Sequence, residues 1–199
     1  MTAIAKALRT DTEGDWESAK DKRLPLPEEA PLPAFLREEE EMTAAQRGTV
    51  THKALGMVDP DLIRRGQYAR ALDALREKGQ LSEKERRAVQ EAWLSGFYQS
   101  PLGGRVLAAQ EIHREWAFNL RGEGPTLIQG VIDLCFVENG RWVLIDYKTD
   151  RAADDEILAR YALQIAWYAR ALSAITGIPV GEAWLFSLRR GSAIPVPLP

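Results

Sequence analysis

Apolar residues recur every three or four positions through the first half of the chain, which is the spacing of amphipathic helices. Four helices are predicted there. Three of them begin at a hydroxyl cap (Thr43, Ser82 and Ser100), and Glu85 completes a capping box with Ser82. The last begins at Ser100, where Pro101 occupies the first helical turn. The predicted helices cover residues 43–57, 61–78, 83–97 and 101–109.

The second half of the chain is rich in β-branched and aromatic residues that alternate with polar ones, a pattern typical of strands. Between the third and fourth of these runs, helical spacing returns from Asp154 to Thr176 and predicts one long helix. The predicted strands cover 111–120, 127–137, 142–149, 182–188 and 193–197, with a turn at 122–125. This order predicts an α/β fold with a mixed central sheet, built around a β-hairpin and flanked by helices.

A two-residue turn, Asn139-Gly140, separates two of the β-rich runs. Both residues tolerate positive φ, so the pair favours a type I′ hairpin and fixes which residues face each other. Asp133 then lies opposite Asp146 on one face of the hairpin. We expect a non-hydrogen-bonded pair with Cα atoms about 4.5 Å apart.

Two ionised carboxylates about 5 Å apart repel by roughly 3 kcal/mol at an effective dielectric constant of about 20. Such a pair is tolerated when it shares a proton or binds a cation, and hard divalent ions prefer oxygen ligands. Lys148 lies two residues beyond Asp146 and therefore on the same face. Two acids and an amine indicate metal-assisted phosphodiester cleavage. The alternative is a solvated salt bridge, which requires an open face, whereas both strands carry apolar neighbours.

The composition of the chain excludes some kinds of site but does not indicate an activity. The chain has 199 residues, 45% of them hydrophobic, and a formal net charge of −3, so nucleic-acid binding requires a local basic patch. A single cysteine, Cys135, excludes a four-cysteine iron–sulfur cluster, fits a reducing cytoplasm and is expected to be core. No phosphate-binding loop of the Gly-x-x-x-x-Gly-Lys-[Ser/Thr] type occurs, so no ATP site is expected in this chain.

The N-terminal part of the sequence differs from the rest. Four prolines, at 25, 27, 31 and 33, and an acidic cluster at 38–41 forbid a continuous helix and favour an extended connector. We therefore expect an N-terminal extension and Pro-rich acidic linker over 1–42, followed by one folded domain over 43–199.

Five short segments together resemble the PD-(D/E)XK nuclease superfamily, and more closely the RecB-like nuclease domain of bacterial AddA-type helicase–nuclease proteins. The resemblance covers about 43–190, in the order of the family. One segment departs from the family pattern, since Ala117 stands where proline is expected. The matching segments are RGTVTH at 47–52, REWAF at 114–118, GVID at 130–133, DYKTDR at 146–151, and Gln164 with Tyr168.

The resemblance implies a restriction-endonuclease-like fold and a Mg²⁺- or Mn²⁺-dependent nuclease. It implies that Asp133, Asp146 and Lys148 are catalytic. It also implies that His52 and the main-chain carbonyl of Tyr147 join the two aspartates as metal ligands. On spacing alone a single histidine on a helix is more often a packed or surface residue, so His52 is assigned by the resemblance.

The same resemblance suggests residues that contact substrate. Gln164 and Tyr168, one turn apart on one helix face, would hold the substrate or the active-site loop, although ordinary helix packing explains their spacing as well. Thr149 and Arg151 are placed with them as substrate-binding residues. Glu115 is a candidate further carboxylate for a metal ion.

The expected function is therefore hydrolysis of DNA by a bacterial cytoplasmic nuclease, acting as an exonuclease domain in double-strand break repair and recombination. Its expected partners are DNA, the helicase domains of a longer parent chain and a second helicase–nuclease subunit, with no membrane. Two alternatives stay open: a non-cleaving DNA-binding or scaffolding domain of the same fold, and a metal-dependent hydrolase of a smaller phosphoester.

Overall fold

The structure, a computed structural model, describes residues 42–121 and 127–198. Six helices precede a three-stranded stretch, and a long helix and two further strands follow it. The helices are α1 (Ala44–Met57), α2 (Pro60–Arg64), α3 (Tyr68–Glu77), α4 (Glu83–Ala88), α5 (Glu91–Tyr98), α6 (Pro101–Ala108) and α7 (Asp154–Thr176). The strands are β1 (Ile112–Arg121), β2 (Leu127–Glu138), β3 (Arg141–Lys148), β4 (Val180–Ser187) and β5 (Ser192–Pro195).

The five strands form one mixed sheet in the order β1-β2-β3-β4-β5. β3 and β4 are parallel because α7 connects them, and the other neighbouring pairs are antiparallel. The predicted mixed α/β fold with a central hairpin is therefore confirmed. Among the described residues, no helix combines the length and the apolar character that crossing a membrane requires.

The central hairpin has the predicted turn and register. Asn139 and Gly140 have φ of +52° and +72°, as a type I′ turn needs. Next to the turn, Glu138 pairs with Arg141, and the paired positions run back to Leu134 opposite Ile145. Asp133 and Asp146 are the next residues beyond this last pair.

Each face of the sheet carries its own apolar core. On one face, Leu134, Phe136 and Ile145 pack against residues of α1, α2, α3, α5 and α6. On the other, Leu144 and Leu185 pack beneath α7. The core on the α7 side includes Cys135, which is fully buried, as predicted; burial and the charge of Glu111 raise the pKa of its thiol to about 12.

Two of the predicted helices are each split into two shorter helices. The predicted helix over 61–78 is wrong at its centre, because Gly66 adopts φ +69° between α2 and α3. The predicted helix over 83–97 is interrupted where Val89, extended and buried, ends α4 before α5 begins. At the first interruption helical spacing continues because Ile63 of α2 and Leu72 of α3 pack into the same core.

Gly130 in β2 fixes how closely α7 approaches the sheet. A Cβ at this position would lie 2.8 Å from Cε1 of Tyr168 and 2.9 Å from the ring of Phe118. Both rings therefore occupy the space that any side chain at Gly130 would need, and the two rings pack edge to face. The glycine allows the long helix to lie directly against the hairpin.

Part of the sequence prediction falls beyond the described ranges. The predicted turn at 122–125 and, up to residue 41, the predicted extension and linker lie outside the described residues. The division into a linker and a folded domain stays a prediction.

Candidate metal and phosphodiester site

The alternation of side chains between the two faces of the sheet is interrupted where β1 and β2 carry acidic residues. In β1, Ile112 packs with the helices α1 to α6, whereas Trp116 packs on the α7 side, although simple alternation would place both on one face. In β2, Leu134 and Ile132 divide in the same way. Glu115 lies at this switch with φ +49°, a conformation that costs a non-glycine residue about 1 kcal/mol.

Asp133, at the same switch in β2, is held by two elements. Its Oδ1 lies 3.1 Å from Nδ1 of His52 in α1, and its Oδ2 accepts a 2.8 Å hydrogen bond from the main-chain N–H of Tyr147. The carboxylate is buried and 8% exposed as a residue. The first strand of the hairpin is therefore tied to its second strand and to α1 through one side chain.

Three donors from three elements converge here. One ligand atom each from His52, Glu115 and Asp133 lie within 4.8 Å of one another. Two carboxylates and an imidazole form a donor set that fits a hard or borderline divalent cation such as Mg²⁺ or Mn²⁺. These three residues are among those that the resemblance suggests as ligands, whereas Asp146 and Tyr147 are outside this cluster; the ligand set stays a prediction.

Asp146 is buried beside this group and contacts Lys148. Its Oδ2 lies 2.7 Å from Nζ of Lys148, so the predicted common face of the two residues is present. Burial and the negative charge of Asp133 raise the pKa of Asp146 to about 6, and Lys148 only partly opposes this shift. The carboxyl is thus costly to ionise in the absence of a further positive charge.

The other two groups also have raised pKa values. Burial disfavours the charged form of His52, but the hydrogen bond to Asp133 and the charges of nearby carboxylates outweigh it and raise the pKa of the imidazole. Desolvation and the charge of Asp133 raise the pKa of Glu115. The protonated forms of these side chains are therefore favoured because several carboxyl groups lie close together. A metal cation would be stabilised at the same place for the same reason.

A cleft of about 430 Å³ opens beside these groups. Lys148 and Thr149, from the end of β3 and its following loop, contribute to its lining. A ligand in the cleft would meet an amine, a hydroxyl and the candidate metal donors together. The lining residues are Gly48, Thr49, His52, Lys53, Glu115, Tyr147, Lys148, Thr149 and Asp150.

Three residues predicted to bind substrate do not line this cleft within the described part of the chain. Gln164 donates a 2.8 Å hydrogen bond to the hydroxyl of Tyr168, whose ring packs on Phe118. The ring of Tyr168 therefore lies against the sheet near Gly130, and Gln164 contacts it from within the same helix. Arg151 is exposed in the loop before α7.

One close contact of Lys148 has no counterpart in the predicted site. Its Nζ lies 3.8 Å from the ring centroid of Tyr161 in α7. Tyr161 shares a helix face with Gln164, three residues further on, and this spacing is a weak signal in the sequence. The contact joins β3 to α7, and pairings between distant elements leave no short-range pattern.

Residues 26–195 match the sequence profile of the PD-(D/E)XK nuclease superfamily. Proteins named as the A component of an ATP-dependent helicase/nuclease are similar to most of the chain. The protein from Clostridium acetobutylicum is 31% identical over 185 residues, 82% of this chain and 15% of its own length. The one from Geobacillus kaustophilus is 33% identical over 198 residues, with 85% and 16% covered. The one from Acetivibrio thermocellus is 34% identical over 172 residues, with 77% and 14% covered, so the chain spans about one seventh of these curated relatives.

Proposed function

The chain belongs to the PD-(D/E)XK nuclease superfamily, and we propose that it is a DNA nuclease that depends on Mg²⁺ or Mn²⁺. The observation that carries this proposal is the convergence of His52, Glu115 and Asp133 within 4.8 Å, beside a cleft that also holds Lys148. The mixed sheet with its central hairpin is the restriction-endonuclease-like arrangement expected of the family.

We assign His52, Asp133, Asp146 and the main-chain carbonyl of Tyr147 to hold the ion, with Glu115 as a further carboxylate. A bound divalent ion would stabilise charge on the phosphate and lower the pKa of a coordinated water. The raised pKa of Asp146, caused by burial and by Asp133, supports this assignment because a cation would relieve that cost.

Lys148 has the role of placing positive charge at the reacting phosphate. Its ammonium is anchored by Asp146 at 2.7 Å and its side chain is 12% exposed, so it reaches the cleft without being freely solvated. An ammonium has three donors, and those not used on Asp146 are available to a phosphate oxygen or to the attacking water. Transition-state charge is stabilised most by donors that are fixed before the reaction.

DNA would enter the cleft with its phosphate backbone towards Lys148. Thr149 lines the cleft and supplies a hydroxyl, and Arg151 in the next loop supplies an exposed guanidinium for a neighbouring phosphate. Tyr168 would act by holding α7 against β2, which the close approach of its ring to Gly130 supports, and Gln164 would orient Tyr168 through the hydrogen bond to its hydroxyl.

The names of the relatives support a wider setting. We propose that residues 43–199 form the nuclease domain of an ATP-dependent helicase–exonuclease in the bacterial cytoplasm, and that 1–42 form the extension and linker. Its partners would be DNA, helicase domains of a longer parent chain and a second helicase–nuclease subunit. Its role would be processing of double-strand breaks for repair and recombination.

The test is incubation of end-labelled single-stranded and double-stranded DNA with the purified chain in Mg²⁺, in Mn²⁺ or in EDTA. We expect products with either metal and none in EDTA. Asp146→Ala should yield no products. Asp61→Asn is the matched control, because this aspartate on α2 is exposed and pairs locally with Arg64; it should cleave like the unaltered chain.

Other outcomes identify the alternatives. Metal-independent binding of DNA with no products would contradict nuclease activity and favour a scaffolding domain. Turnover of a mononucleotide phosphoester with no action on long DNA would favour a small-molecule hydrolase. The close association of Asp133, Asp146 and Lys148 favours cleavage, since a scaffold gains nothing from burying mutually repelling acids.

A further inference from the structure

The ammonium group of Lys148 contacts both a carboxylate and an aromatic ring. Asp146 binds its Nζ at 2.7 Å, and the ring of Tyr161 lies under the same atom, 3.8 Å from it to the centroid. This distance is well inside the range over which an aromatic face attracts an ammonium. The ammonium is therefore held from two directions, by a strand residue and by a helix residue.

The ring of Tyr161 is itself fixed. Its hydroxyl donates to Asp150 in the loop after β3, at 3.2 Å from Oδ2. Arg160, the preceding residue of α7, donates to Oδ1 of the same carboxylate at 2.9 Å. Asp150 thus connects the end of β3 to α7 and keeps the phenol in place under Lys148.

A neutral ring holds a lysine differently from a second carboxylate. A carboxylate would add negative charge beside the cleft and repel a phosphate, whereas an aromatic face attracts the ammonium and leaves its net charge in place. A lysine side chain is otherwise flexible and strongly hydrated. A ring beneath it restricts its position without cancelling its charge.

We propose that Tyr161 is a positioning residue for Lys148: the face of its ring holds the ammonium over the cleft in the orientation needed to donate to the phosphate. This inference rests on the proposed nuclease function. Tyr161 acts through Lys148 and need not touch the substrate, so its removal should lower kcat and leave KM nearly unchanged.

The first test compares Tyr161→Phe with Tyr161→Leu in the 199-residue chain, using single-turnover and steady-state cleavage of labelled DNA in Mg²⁺. Tyr161→Phe keeps the ring and should stay within about twofold of the unaltered kcat. Tyr161→Leu should lower kcat about tenfold, which corresponds to about 1.4 kcal/mol. The matched control is Trp167→Leu, which removes a ring beneath Arg170 on the same helix but outside the cleft, and should leave kcat unchanged.

A second measurement needs no catalysis. In the metal-free chain, the ring of Tyr161 should shift the ε-methylene proton resonances of Lys148 upfield in a proton–carbon correlation spectrum. The shift should persist in Tyr161→Phe and vanish in Tyr161→Leu. If Tyr161→Leu does not fold, fluorinated phenylalanines at position 161 keep the shape and weaken the ring face stepwise, and kcat should fall in that order.

The results separate this inference from the proposed function. Absence of cleavage by the unaltered chain contradicts the nuclease proposal, while the resonance shift still tests the contact. An unchanged kcat in Tyr161→Leu, or a loss confined to KM, overturns the positioning role. Equal losses in Tyr161→Phe and Tyr161→Leu also overturn it, because they would assign the effect to the hydroxyl and Asp150.

Discussion

Charged side chains attract one another at one end of the β2–β3 hairpin and repel one another at the other end. At the turn end, Arg105 from α6 contacts Glu138 at 2.6 Å and Glu182 of β4 at 2.8 Å. Hydrogen bonds from Arg105 lower the pKa of Glu182, so each charge there favours the other. At the cleft end, Asp133 and Asp146 are buried close together, and the pKa of Asp146 rises to about 6.

The turn end of the hairpin therefore contributes to stability, whereas the cleft end carries the residues proposed for catalysis. The charges at the turn end are paired within the protein, because Arg105 forms ion pairs with both Glu138 and Glu182. The cleft end brings the carboxyl groups of Asp133, Asp146 and Glu115 together, and either bound protons or an added cation would relieve their repulsion. One hairpin thus carries a stabilising cluster of opposite charges at one end and the proposed metal site at the other.

The largest expected effect comes from neutralising the cleft end. Asp133→Asn and Asp146→Asn should each lower DNA cleavage by at least about 10³-fold, because each removes a proposed metal ligand or the anchor of Lys148. Cleavage rates in Mg²⁺, together with circular dichroism to verify folding, measure this. Cleavage at the unaltered rate by either folded variant would refute the site.

The response of stability to pH is the next largest effect. The folded pKa values of His52, Glu115 and Asp146 are raised, so their protonated forms favour folding and this stabilisation is lost as pH rises, for Asp146 through about 6. The Tm of the metal-free chain should therefore fall by about 5 °C between about pH 5 and about pH 8.

Magnesium should reverse that loss only where the carboxyls are ionised. At about pH 8, millimolar Mg²⁺ should raise the Tm, and at about pH 5 it should have little effect, because protons compete for the same atoms. Differential scanning fluorimetry at the two pH values provides the measurement. A metal-induced shift that is equal at both values would disagree with protonation of the site.

The turn end should respond only in stability. Arg105→Ala leaves Glu138 and Glu182 without their shared cation and should lower the free energy of unfolding by about 1 kcal/mol, a modest value because the side chain is partly exposed. The Tm should fall by roughly 3 °C. The cleavage rate of the folded fraction should be unchanged, and a large loss of rate would show that the two ends are coupled.

The smallest expected effect concerns the backbone of Glu115. Glycine adopts φ +49° without strain, so Glu115→Gly should be more stable than Glu115→Ala by about 0.5–1 kcal/mol. Ala117→Gly, in the same strand, is the control and should be less stable than the unaltered chain, as is usual inside strands. Urea unfolding of these variants measures the order, and a less stable glycine variant at position 115 would contradict local strain.

Local signals predicted much of this architecture. Thr43 and Ser82 mark helix starts because a cap is a property of a few adjacent residues, and Asn139-Gly140 fixes the hairpin register for the same reason. The break at Gly66 had a signal in the glycine itself. The break at Val89 had none, since no glycine or proline marks it.

The site follows the same rule. Asp133, Asp146 and Lys148 are related through one hairpin, so the register of the turn predicts a common face. The structure shows this for Asp146 and Lys148, whereas Asp133 contacts His52 of α1. The approach of Tyr161 to Lys148, and of His52 to Asp133, depends on how α7 and α1 pack on the sheet. Such packing is decided by the whole core, so the resemblance alone suggested His52 and nothing assigned a role to Tyr161.

The packing of α7 on the sheet depends on the absence of a side chain at Gly130. A methyl group there would overlap the rings of Tyr168 and Phe118, so at least one of these rings would have to move. A residue without a side chain thus leaves the space in which two rings from other elements pack. A homologue with alanine at this position should therefore carry a compensating change at one of the two rings.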